Sequence, residues 1–161
     1  ELKVEWRIQF FNSYFSKELP QLYNHFKGLD LSSENFLLDW FVSRSARKQP
    51  FLFSLLTQYT LYSAFSDVDI IARIWDCFLL DGEVFAITTT LAILKHYELE
   101  LKMMTFEAAV KFLKKLPEVV NEKALFSAIE SVKIPVYAYQ KALEEQSVAQ
   151  INTHIHQALL L

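Results

Sequence analysis

Glycine is the scarcest element of this chain: only Gly28 and Gly82 occur in 161 residues, with four prolines. A β-sandwich or barrel needs many tight turns, and tight turns need residues that accept positive φ or a preset φ. That supply is missing here, so the reading is an all-α domain. The same scarcity excludes the phosphate-cradling loops G-x-G-x-x-G and G-x-x-x-x-G-K-[ST]. With 52% apolar and 22% charged residues the chain can bury a core and is not disordered. The net charge of −3, with acids and bases interspersed, gives no broad cationic surface for nucleic-acid phosphates.

Stop and cap signals divide the chain into about eight or nine helices in a non-repetitive array. Residues 2–15 are aromatic-rich, and Pro20 opens a second helix for which Gly28 is the stop signal. Ser32 and Ser33 are caps for a helix carrying Phe36, Leu37 and Trp40. Ser66 with Asp69 forms a capping box before "DVDIIARIWDCFLL". In that helix Val68, Ile71, Ala72, Trp75 and Leu79 make one apolar stripe, and Ile70, Ile74 and Cys77 make another. Such a helix is expected to be buried on most sides.

Asp69, Arg73 and Asp76 form a narrow charged stripe in which Arg73 reaches an acid on either side. After the Asp81-Gly82 turn come stripes at Val84, Ile87, Leu91 and Leu94, at Phe106, Ala109, Val110 and Leu113, and at Leu125, Ile129 and Val132 after an Asn121 cap. Beyond Pro135, Ser147 and Gln150 match a second capping box, placing a helix start before "INTHIHQALLL" in a C-terminal extension over residues 136–161.

Candidate chemistry is sparse. His154 and His156 are two apart and point to different sides of a helix, which argues against a metal pair. His25 and His96 stand without a nucleophile motif and read as structural. Cys77 cannot form an internal disulfide, and a thiol inside an apolar helix is inert. No signal peptide opens the chain, which fits a reducing cytoplasm, and the absence of an initial Met suggests a piece of something longer.

Five motifs in order carry a resemblance: "LPQL" (Leu19 to Leu22), Asp39-Trp40, "YTLYS" (Tyr59 to Ser63), "RIWD" (Arg73 to Asp76) and Asp81-Gly82. Together with "LAILKHYE" and "FLKKLPE" they are similar to the C-terminal half of the TBC domain, the GTPase-activating module that acts on Rab proteins. The resemblance covers roughly residues 5–130, so residues 1–135 read as the C-terminal lobe of such a domain.

It implies a Rab-family GTPase as partner, with GTP and Mg bound by that partner and no cofactor in this chain. It also implies a cytoplasmic protein, peripheral to endomembranes through its partner in vesicle traffic, and an absent N-terminal lobe. The family supplies an Arg from I-x-x-D-x-x-R and a Gln from Y-x-Q, and a finger of this kind is worth about 10³ to 10⁵ in rate. Neither motif occurs here; Arg73 in "DIIARIWD" and Gln140 in "AYQ" do not match. The expectation is therefore a lobe without catalytic residues, inactive alone, in which Asp39, Trp40, Arg73, Trp75, Asp76, Asp81 and Gly82 are architectural. In that reading Trp75 is core and Arg73 is a buried or half-buried ion-pair partner of Asp39, Asp69 or Asp76, the alternative being a direct contact with the Rab protein. The competing reading is a non-catalytic helical module that only holds a GTPase, or a scaffold.

Residues 42–58 interrupt the pattern. In the family the acid-Trp pair runs directly into the aromatic-Thr-Leu-aromatic-Ser segment, and excising 42–58 joins "LLDWF" to "YTLYSAFSDVDIIARIWD". Val42-Ser43 can be encoded GTAAGT and Gln58 CAG, the common ends of an intron, and the removal keeps the frame. The insertion reads as a short retained intron or a family-specific loop. The uncharged run Gln49 to Ser66 contains Pro50, Ser54, Thr57, Gln58, Thr60 and Ser63, too polar for a span of about 20 apolar residues.

Overall fold

A computed structural model describes residues 2–41, 68–114, 116 and 121–159. Among these residues there are nine helices and no strand. In chain order they are α1 (Leu2–Glu18), α2 (Pro20–Gly28), α3 (Glu34–Phe41), α4 (Val68–Asp81), α5 (Glu83–His96), α6 (Glu98–Leu101), α7 (Phe106–Lys114), α8 (Glu122–Ser131) and α9 (Val136–Leu159).

α5 is the centre. Every side chain from Val84 to Leu94 is buried, so the expected single stripe is a helix covered all round. Its most extensive packing is with α8, and α4, α1 and α6 also lie against it. α1 pairs with α2 and with α9, and α3 packs on α7. A closed ring of phenylalanines joins α1, α2 and α3: Phe11 meets Phe15 at 5.5 Å and Phe36 at 6.3 Å, and Phe26 meets Phe15 at 5.8 Å and Phe36 at 6.1 Å. Three of these four contacts are edge-on, the arrangement that the ring quadrupoles favour.

The local signals explain most boundaries. Pro20 stands at the start of α2, where its missing N–H costs nothing. α2 ends at Gly28, but the left-handed residue that stops it is Asp30, at φ 58°. Leu31 N–H donates to Phe26 O (2.9 Å) and Asp30 N–H to Lys27 O (3.2 Å), a Schellman motif closed by buried Leu31 and Phe26. Ser32 Oγ accepts from Glu34 N–H at 3.2 Å, whereas Ser33 Oγ turns away and donates to Asn12 Oδ1 at 2.6 Å. Asn121 caps α8 as expected, accepting from Ala124 N–H at 3.0 Å.

Three expectations are corrected. Among its described side chains α4 buries Ile70, Ile74 and Phe78, while Ala72, Leu79 and Leu80 face solvent, because the neighbouring helices cover one flank of it. Phe106 sits at the rim of α7, whose buried residues are Ala109 and Leu113. Ser147 does not start a helix: α9 is continuous from Val136 to Leu159, and Ser147 Oγ donates back to Leu143 O at 2.8 Å. The Ser66 cap, the Tyr59 to Ser63 run and the 42–58 interruption lie outside the described residues.

Candidate functional site

The motif-bearing segment is the helix pair α4 and α5. Gly82 is its whole connection, at φ 72° and ψ −156°, a region open essentially only to glycine. Its N–H donates to Phe78 O (2.8 Å) and closes α4; its carbonyl accepts from Phe85 N–H (3.1 Å) and opens α5. A one-residue link starts α5 directly at the end of α4, and Asp81 beside it is exposed.

On α4, Trp75 is half-buried against the core and meets Phe78 edge-on, with centroids 6.1 Å apart. Arg73 is not buried: 55% of its side chain is exposed, and its partner is Glu122 at the start of α8, Nη1 to Oε1 2.6 Å. Its guanidinium also lies 4.0 Å over the Phe126 ring. Glu122, 49 residues away, is none of the three acids expected from the sequence. Asp76 is exposed on the same face. Asp39 and Trp40 lie in α3, and their side chains are outside the described residues. At the end of α4, Leu79 and Leu80 are 66% and 86% exposed, an apolar pair between Asp76 and Asp81.

A second cluster carries no sequence signal. Arg7 of α1 grips Glu83 of α5 with both Nη2 (2.9 and 3.0 Å) and Nε (3.2 Å), and Tyr139 of α9 donates its hydroxyl to the same carboxylate. Trp6 and Phe10 pack on the Tyr139 ring at 5.4 and 5.2 Å. Burial pushes the Tyr139 hydroxyl well above its ordinary range, and the bond to Glu83 adds to this, with Arg7 opposing. Burial works against the Arg7 charge, but Glu83 and Tyr139 outweigh it and hold the guanidinium above its ordinary value. The three residues are 76 and 56 positions from one another through Glu83, beyond any local spacing rule.

A half-open cavity of about 210 Å³ lies between α1 and α2, lined by Asn12, Tyr23 and Lys27 among others. Among the described residues no three His, Cys, Asp or Glu side chains come together as a metal site. His25 Nε2 is 3.2 Å from Met104 O, and His96 packs edge-on against Tyr97, consistent with structural histidines. Among the described residues no helix is long and apolar enough to cross a membrane.

Comparison with known proteins agrees with the motif helix. The profile of the Rab-GTPase-TBC domain family matches residues 1–56 and 47–102. "TBC1 domain family member 14" of Mus musculus is 36% identical over 124 residues, 77% of this chain and 15% of the relative. "TBC1 domain family member 12" of Xenopus tropicalis is 34% identical over 124 residues, 77% of this chain and 16% of the relative. "Drainin" of Dictyostelium discoideum is 30% identical over 127 residues, 78% and 25% of the two chains. The chain thus spans about 15% of the length of the first relatives it matches. The family match over most of the chain, together with a helix pair bearing the Arg-Ile-Trp-Asp and Asp-Gly motifs, places this protein in the Rab-GTPase-TBC domain family.

Proposed function

We propose that this chain is the gripping part of a GTPase activator for a Rab-family GTPase, with the Arg and Gln fingers supplied by residues outside it. The supporting observation is the engagement of its arginines. A finger must be unclaimed to reach a transferring phosphoryl group, yet the two described arginines, Arg7 and Arg73, are each held by a carboxylate, Glu83 and Glu122. Arg44 and Arg47 lie outside the described residues and in no finger motif. In this reading the partner binds GTP and Mg, and the Leu79–Leu80 edge of α4 supplies apolar contact.

The test is single-turnover GTP hydrolysis by a panel of purified Rab proteins, with and without excess chain. Hydrolysis stays at the intrinsic rate; phosphate release accelerated by this chain alone overturns the reading. A longer gene product that carries I-x-x-D-x-x-R and Y-x-Q separates the activator from a holding module.

The interruption at residues 42–58 belongs to the same proposal. Two family matches that overlap at 47–56, rather than one continuous match, fit a domain split by inserted residues. Sequencing the transcript across Phe41 to Tyr59 decides between retained intron and loop: an abundant, translated message containing the segment ends the intron reading.

A further inference from the structure

We propose that α9 is a strap that lifts off α1 while the other helices stay folded, and that Tyr139 is the latch that holds it down. Of the side chains described from Val136 to Ile151, Tyr139 is buried, Ala138, Ala142 and Gln146 are half-buried, and the others are exposed. Tyr139, Ala142 and Gln146 fall at i, i+3 and i+7, on one face of the helix. An alanine and a glutamine bury little apolar surface. The hold on this stretch is therefore concentrated in one side chain.

That side chain bridges two helices. Its ring covers Trp6 and Phe10 of α1, with centroids at 5.4 and 5.2 Å. Its hydroxyl donates to Glu83 of α5, the carboxylate that Arg7 of α1 also grips.

The cluster is built so that Tyr139 can leave it. Glu83 keeps its ion pair with Arg7 when the hydroxyl goes, and its side chain is already 40% exposed, so water can replace the lost donor. Opening at this point strands no buried charge. α5 is the opposite case, since every side chain from Val84 to Leu94 is buried and it cannot leave alone. Trp6 and Phe10 are thus closed off while α9 is docked and bared when it opens, with Tyr139 setting the balance between the two states.

Native-state hydrogen exchange of the whole chain, in urea below the unfolding transition, tests this. A detached helix is marginal in water, so amides from Gln140 to Ile151 exchange at least about 100-fold faster than those from Leu91 to Leu94. Their urea dependence is also smaller, because lifting the strap exposes less surface than global unfolding. Tyr139→Phe keeps the ring, loses the bond to the carboxylate and speeds the α9 amides by about tenfold. Tyr137→Phe removes a hydroxyl from a side chain that is 72% exposed and leaves them unchanged. Four results overturn the proposal: α9 amides with the urea dependence of Leu91 to Leu94, fraying that leaves Gln140 to Leu143 as protected as α5, a Tyr139→Phe protein that exchanges like the parent, or an equal acceleration by Tyr137→Phe.

Discussion

Replacing Gly82 by alanine isolates a purely backbone cost. A Cβ built at Gly82 meets nothing within 4 Å, so no side chain must move to receive it. The penalty comes from φ 72° and ψ −156°, where an L-residue clashes with its own backbone at a cost of about 1–3 kcal/mol. Gly28 provides the internal control. It is also open within 4 Å, but it is helical with no positive φ, so Gly28→Ala meets neither obstacle. That substitution narrows the unfolded ensemble and stabilises by about 0.4–1 kcal/mol.

For a chain of this size each kcal/mol moves the melting point by about 2–4 °C. Gly82→Ala therefore lowers Tm by about 2–12 °C and Gly28→Ala raises it by about 1–4 °C, both read by far-UV circular dichroism and checked by urea titration. A Gly82→Ala protein as stable as the parent would falsify the reading of Gly82 as a link that only glycine accepts between α4 and α5.

Other substitutions probe the core and the two charged clusters. Thr89 Oγ1 in α5 is fully buried and has no hydrogen-bond partner among the described residues, so Thr89→Val, nearly isosteric, raises stability by about 1 kcal/mol; a destabilised variant in urea would reveal a partner for the hydroxyl. Arg73→Ala removes an exposed ion pair and a cation–π contact, together about 0.5–1.5 kcal/mol. A urea-measured loss above about 3 kcal/mol would restore the buried pair expected from the sequence.

Alkaline pH exposes Tyr139. Its folded proton is held well above the ordinary range, while the unfolded chain releases it from about pH 10. Stability is thus unaffected below that pH. It falls as pH rises further, by up to about 1.4 kcal/mol per pH unit, since the unfolded state then binds fewer protons. Urea midpoints at about pH 9 and 11 decline more steeply in the parent than in Tyr139→Phe; equal declines would refute the assignment.

Local chemistry was legible wherever one residue governs one boundary. Pro20, Asn121 and the Asp81-Gly82 turn each appear in the structure in the role their side chains dictate. Periodicity failed on α4 because both of its candidate faces are apolar, and the placement of its neighbouring helices decides that Ile70, Ile74 and Phe78 go inside. Ser147 carries a helix-start signal, but its hydroxyl is satisfied by the carbonyl one turn back and the helix passes through. The partners of Arg7 and Arg73 lie 76 and 49 residues away, and spacing rules reach only one or two turns. The motif positions were visible because the family pattern marks them, while Glu122 and Phe126, which engage Arg73, stand on a helix with no motif of its own.

The burial of α5 on every side also governs how the molecule opens. A helix whose covers come from α1, α4, α6 and α8 has no way to expose its amides by fraying one neighbour. Proton exchange along Ile87 to Leu94, past the first turn whose amides lack helical acceptors, must wait for cooperative opening of the surrounding helices, so these amides are the slowest to take up deuterium. Their exchange rate is a clock for global unfolding, which runs on after the outer helices have equilibrated with solvent.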